Sequence, residues 1–433
     1  MVLAKGNAVN ARWIVLGLLA GIGAIASGQS LQERIDVASA GAVIEVAAGA
    51  HSGPITIDRP LTLRGIDYPL IEGNGRDHVV RITAPGVTVE GFRIENSGLS
   101  LSADHAGVFI VADDVVVRNN RIERVLHGIY VKGVNRARIE KNTIDGLIYV
   151  PENHADVLRE GFSSRPTELC TVALDASRRG NGIHLWNGEG HQVVDNTVRQ
   201  TRDGIYFSFT NRTWIYRNRV SRVRYGLHYM YSDENTFEEN TFTESAAGAA
   251  IMYSKRIRAE GNQFFNNRGK RSYGLLLQSV DDSTFSRNQV TENTIGAYFE
   301  NSQNNRFTGN RLERNYVGIR FSASSAGNRF TENGFQRNLH PVEMDQSERA
   351  NVWSEDGRGN DWGNPGSPDL DGDGVGDWPH FESDVLGRLR REHELVGLLS
   401  GSAFVDLLHF AASRTRLKGL PSVEDPNPLQ SNK

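Results

Sequence analysis

Met230 and Met252 are two of only four methionines in the chain, and they stand 22 residues apart, with His228 two positions before the first. In an extended strand, side chains two apart share a face and lie roughly 6.6 to 7 Å from one another. One strand therefore presents His228 with Met230, and a 22-residue repeat would bring Met252 alongside. Thioether sulfur selects Cu(I), and imidazole accepts either copper state. His184, Trp186 and Tyr206 occupy the equivalent positions of earlier repeats. The stripe reads either as a transient copper site or as a docking surface covered by an inserted segment or a partner protein.

A second donor set is harder. Asp369, Asp371, Asp373, Val375 (through its carbonyl) and Asp377 match the first nine positions of a D-x-D-x-D-G loop, a pattern that suits Ca²⁺ in a structural role. His380 stands where a bidentate Glu is expected, with Glu382 and Asp384 as substitutes; the alternative is a solvated acidic turn. Sugar chemistry would need clustered carboxylates on a strand face. Asp203, Asp233, Asp281 and Asp282 fall at turns, and Glu300 stands beside Arg320 and Tyr298 without a carboxylate partner. No catalytic residue is assigned. Cys170 is the single cysteine, so no intramolecular disulfide forms, and it reads as a quiet half-buried thiol.

The elements that position these residues follow from periodicity. A Gly-led strand recurs at Gly182, Gly204, Gly226, Gly248, Gly274, Gly296 and Gly318, with spacings of 22, 22, 22, 26, 22 and 22. Asn196, Asn218, Asn240, Asn262, Asn288 and Asn310 keep the same time. A fixed period of this length marks a solenoid. Three short strands and three turns per 22 residues define an all-β fold, a right-handed single-stranded parallel β-helix; the hand follows from the crossover preference of parallel strands. Apolar residues one and three after each Gly point inward, from Ile183 and Leu185 to Ile319 and Phe321. The Asn residues are expected at turns, where they tolerate left-handed backbone and bond along the stack.

Residues 1–26 read as a signal peptide: Lys5 and Arg12 precede an apolar run ending in Ala24-Ile25-Ala26. Export by the general secretory route is thus expected. Residues 27–42 form an N-terminal cap with a short helix from Leu31 to Ala38. The β-helix spans 43–345 with an insertion at about 145–180, because both Gly128 to Gly182 and Asn142 to Asn196 measure 54 rather than 22. An Asp/Gly-rich region covers 346–384, an amphipathic helical segment 385–420, and a disordered tail 421–433. The helical segment carries Leu386, Leu389, Val396, Leu399, Phe404, Leu407 and Leu408 near helical spacing. Net charge −4 offers no basic footprint for nucleic acid.

The runs Gly182-Ile183-His184-Leu185-Trp186, Asp203-Gly204-Ile205-Tyr206-Phe207 and Gly226-Leu227-His228-Tyr229-Met230-Tyr231-Ser232 resemble the NosD family. So do Gly359-Asn360-Asp361-Trp362 and the acidic loop at 369–377. The resemblance implies a non-enzymatic accessory role in assembling the copper–sulfur centre of nitrous oxide reductase. It implies as partners an ABC transporter (permease and ATPase), a copper chaperone and the reductase itself. On that reading His184, His228, Met230 and Met252 handle copper or dock the chaperone, and the 385–420 segment docks on the permease or lies on the inner membrane surface. The runner-up from the fold alone is an envelope carbohydrate-binding or polysaccharide-modifying β-helix.

Overall fold

The structure is a computed structural model describing residues 29–151, 171–173, 175–322, 324–344, 351–363, 367–383, 393, 402–412 and 422–430. The signal segment, Cys170, Leu386, Leu389, Val396 and Leu399 lie outside the described residues, as does most of the 145–180 insertion. The rest is a parallel β-helix of about 13 turns. Three parallel sheets of 12, 11 and 12 strands run along it, and each coil contributes one strand to each sheet in turn.

The core follows from alternation. Ile183, Ile205, Leu227, Ala249, Leu275, Ala297 and Ile319 stack in register, each fully buried. A column of phenyl rings fills the interior of the later coils, with Phe285 and Phe307 stacked at 4.5 Å and Phe330 next in line.

The repeating glycines serve close approach rather than turning. A Cβ on Gly248 would meet the Gly274 carbonyl oxygen at 2.6 Å and Phe264 Cδ1 at 2.8 Å. The same clash recurs from Gly128 to Gly318. Gly248→Ala is expected to cost about 1–3 kcal/mol through overpacking, seen as a lowered thermal midpoint with the fold retained by circular dichroism.

The periodic Asn residues bond along the stack as expected, but their own backbone is not left-handed. The left-handed residues are those just before them, among them Asn119, Lys141, Asp195, Arg217, Glu239 and Arg287. The Asn itself points inward. Asn240 Nδ2 donates to Asn262 Oδ1 and to the Ile215 carbonyl, each at 2.9 Å, while its Oδ1 accepts from Asn218 N and Nδ2, each at 2.9 Å. Its job is to satisfy buried backbone at a corner, which a side chain exposed in a left-handed turn could not do.

Helix α1 (Leu31–Val37) covers the first coil, closed by a Ser30/Glu33 capping box and burying Leu31 and Ile35. The insertion leaves after the second-sheet strand Thr143–Asp145. It includes the antiparallel pair Tyr149–Pro151 with Thr171–Ala173 and re-enters before the third-sheet strand Ile183–Glu189.

The expected disorder of 421–433 is corrected over 422–430. Ser422–Asp425 pairs antiparallel with His380–Ser383, and Asp425 is fully buried. Its carboxylate accepts from Asn360 N (2.7 Å) and Trp362 Nε1 (2.9 Å). Buried donors at the end of the last coil needed an acceptor, and the polar tail supplies it.

Candidate functional site

The outward face of the third sheet holds the sequence-expected stripe. Tyr130, His184, Tyr206, His228 and Ala250 are successive register partners, and beside them run Lys132, Trp186, Ser208, Met230 and Met252. Met230 and Met252 are thus directly paired across adjacent strands, about 4.8 Å apart in backbone spacing. Both are half-buried rather than fully exposed, and His228 is buried. Trp186 lies two strands from Met230, exposed, with the Lys132 ammonium 5.7 Å from its ring centroid.

The face is an aromatic and imidazole ladder longer than the sequence showed. His78 stacks on Phe109 at 4.0 Å, Tyr130 on His184 at 4.1 Å, and Tyr206 meets His184 at 4.4 Å and His228 at 4.9 Å, both edge-on. His105 and His127 flank it, at 5.6 Å from His78 and 5.3 Å from Tyr130. His78 sits in an irregular coil, whereas His105 and His127 stand one 22-residue period apart, a signal that could have flagged them. Burial lowers the pKa of His78 and His127 to about 4, depresses His105, and takes His184 well below its ordinary value. These imidazoles are neutral near pH 7.

Beneath His228 lies a charged group the sequence reading left at a turn. Asp203, almost wholly buried, receives Arg224 in a two-pronged pair (2.8 and 2.6 Å) and faces His228 Nδ1 at 2.8 Å. Burial opposes its ionisation, but the hydrogen bonds from His228 and Arg224 prevail and hold the carboxyl below the usual range. Arg224 and Asp203 are 21 residues apart, one short of the repeat, so a search for opposite charges at the exact period passes over them.

At the corner following the stripe, Phe209, Tyr231 and Tyr253 form a second, exposed ladder. Their rings lie 5.3 and 5.0 Å apart with planes within 10°. All three have left-handed backbone, as does Tyr68; every other non-glycine residue with that conformation among those described is polar or charged. Bulky side chains in this region are outliers, and such strain concentrates at functional sites.

Among the described residues, the only His, Cys, Asp or Glu trio with ligand atoms within 4.8 Å is Asp369, Asp371 and Asp373. Asp369 already accepts backbone N–H groups from Gly372, Asp373 and Gly374, so the acidic loop closes on itself. Asp377 accepts from Leu370 N, Val375 bridges to Leu429, and His380 stacks on Trp362 at 4.6 Å in the closing sheet. On the stripe no such trio converges, so a metal there depends on the thioethers, and the donor chemistry present (two sulfurs and an imidazole) suits Cu(I). Among the described residues of the third-sheet face, Glu343 is buried against Arg320 at 2.5 Å, and the hydrogen-bonded carboxylates Glu95 and Glu123 lie along the second sheet instead.

In the helical segment, α2 (Ala403–Ala412) contains Leu408 and exposes Phe404, Leu407 and Phe410, while Val405 is buried. Among the described residues no helix is long and apolar enough to cross a membrane.

Fold and site together define a parallel β-helix with a donor-lined outward face. Residues 163–367 match the family model described as "Periplasmic copper-binding protein (NosD)", and 55–168 match one described as a protein of unknown function (DUF1565). The first of these stretches, a little under half of the chain, is similar to the NosD family. It is 30% identical over 161 residues to a "Probable ABC transporter binding protein NosD" of Pseudomonas aeruginosa, covering 37% of this chain and 32% of the relative. The corresponding Stutzerimonas stutzeri protein is 31% identical over 159 residues, covering 36% and 31%. These alignments span about a third of the relatives' length. Among solved structures, the A-module of the Azotobacter vinelandii mannuronan C-5 epimerase AlgE4 has a TM-score of 0.49 at 12% identity, covering 75% of this chain and 94% of that one. The Dettilon tailspike protein has a TM-score of 0.43 at 13% identity, covering 71% and 62%. Likeness at this level does not speak to chemistry.

Proposed function

We propose that the chain is a periplasmic accessory protein that carries Cu(I) for assembly of the copper–sulfur centre of nitrous oxide reductase, without catalytic activity of its own. The observation that carries the reading is the register pairing of Met230 with Met252 beside His228 on one outward face. Similarity over residues 163–367 to a family described as copper-binding and periplasmic supports it. The relatives' printed names support an ABC transporter as partner. In this reading the exposed ridge of α2, Phe404 with Leu407 and Phe410, rests on the permease or the inner membrane surface.

The exposed ladder of Phe209, Tyr231 and Tyr253 borders the thioether pair and forms the lip on which a copper chaperone docks. Clustered aromatic anchors dominate such interfaces. Tyr231→Asp is expected to leave Cu(I) affinity unchanged while slowing transfer from a loaded chaperone about tenfold, the effect of losing one anchor. Equal transfer rates in stopped flow would remove the ladder from the docking site.

The test of the function is an anaerobic Cu(I) titration of the mature chain against a competing chelator. One equivalent withdrawn from the chelator is the expected result; a chain that withdraws none is not a carrier.

A further inference from the structure

The histidines of the outward face differ in what their Nδ1 atoms meet. His127 Nδ1 accepts the Asn181 N–H at 2.9 Å, His105 Nδ1 accepts the Ser100 N–H at 3.3 Å, and His184 Nδ1 meets the Asn181 side-chain amide nitrogen at 3.2 Å. Off this face, His191 Nδ1 accepts the Ala137 N–H at 3.1 Å. A neutral imidazole whose Nδ1 accepts a hydrogen bond carries its proton on Nε2. Its Nε2 then has no lone pair to offer. These rings cap backbone and neighbouring groups.

His228 is arranged the other way. Its Nδ1 faces Asp203 Oδ2 at 2.8 Å, and an ionised carboxylate only accepts. Arg224 Nη2 also approaches Nδ1, but at 3.4 Å, and it already donates to the same Oδ2 at 2.6 Å. The shorter contact decides the proton: Nδ1 carries it, and Nε2 keeps its lone pair. Arg224 in turn holds the carboxylate from both oxygens, and Tyr206 and Tyr225 pack edge-on against the imidazole at 4.9 and 5.0 Å. Metal-ligating histidines ordinarily rest on such a carboxylate, which fixes the tautomer and raises ligand basicity.

We infer that Asp203 is a positioning residue that holds His228 in the Nδ1–H tautomer and so makes its Nε2 the imidazole donor beside Met230 and Met252. The inference rests on the copper reading for the identity of the cargo, but the tautomer is a property of the metal-free chain. Asp203 comes from the strand Asp203–Asn211, one coil before the strand Tyr225–Met230 that bears His228. The donor is thus assembled from two coils, and its third member, Met252, from a further one.

The experiment is nitrogen NMR of the metal-free wild-type chain labelled at histidine, followed by Asp203→Ala and Asp203→Glu. In the wild type, His228 is expected as Nδ1–H with a bare Nε2, and His127 and His184 as Nε2–H. Asp203→Ala is expected to move His228 to Nε2–H, and Asp203→Glu to restore Nδ1–H. Anaerobic titration of Asp203→Ala should show Cu(I) affinity lowered about 10- to 100-fold, the usual effect of removing such a partner. A wild-type His228 protonated on Nε2 overturns the inference even if no variant folds. Unchanged affinity in Asp203→Ala on a chain that binds Cu(I) overturns the positioning role alone. A wild-type chain with the expected tautomer but no Cu(I) uptake overturns the copper reading and the donor role with it.

Discussion

Replacing Met230 and Met252 together with alanine is expected to weaken Cu(I) binding by at least about 100-fold, beyond what loss of a supporting residue produces. Among the described residues the two thioethers are the only soft donors on the outward face, and their strands pair them directly. Without them, His228 is left as a lone imidazole among rings that cap backbone or stack, a set with no preference for Cu(I). Both side chains are half-buried on the outer surface and contribute nothing to the interior columns. The double variant should therefore unfold at the wild-type midpoint. Chelator competition measures the affinity and urea unfolding controls for the fold. Retained affinity would move the copper elsewhere and leave the stripe as a docking surface.

The largest effect on stability is expected from the interior ladder. Asn240→Leu removes an amide that makes four hydrogen bonds at 2.9 Å with Asn218, Asn262 and Ile215, all in buried surroundings. The partners keep their desolvation cost without their bonds, so the loss should reach about 3–5 kcal/mol. Because coils touch only their neighbours, the defect should also divide the unfolding of the solenoid near its middle. A urea transition shifted by less than about 1 kcal/mol would show that water enters the corner and replaces the amide.

The fold was legible because one-letter periodicity and coil geometry share a period. Glycine and the principal asparagines recur at fixed spacing since each contacts its own copy in the next coil. Their physical reasons were less legible. A glycine needed for close approach looks the same in sequence as one needed for a turn, and only the neighbouring carbonyl, 2.6 Å from a Cβ at Gly248, distinguishes them. Other corner ladders escaped notice because a Ser takes the place of Asn in some coils, as in Ser245–Asn267–Asn293 and Ser283–Asn305–Asn328. The stripe of His184, His228, Met230 and Met252 was readable from alternation alone. The support from Asp203 and Arg224 was not, since it crosses coils at 21 and 25 residues rather than 22. The strand at Ser422–Asp425 was hidden by a polar tail whose value lies in a single buried carboxylate.

That carboxylate gives the solenoid an electrical direction. Along the Asn ladder every bond from one Asn to the next points the same way: the N–H of the earlier coil donates to the Oδ1 of the later one, from Asn120 to Asn142 through to Asn333 and Asn360. Such a row ends in surplus donors at its C-terminal terminus, as a helix does at its N-terminus. Asp425 answers with a carboxyl group where a further Asn would stand, accepting from Asn360 N, while burial pushes its pKa up. One more coil could be inserted anywhere along the ladder without upsetting this polarity, but the terminus itself needs an acceptor that has no donor to pass on.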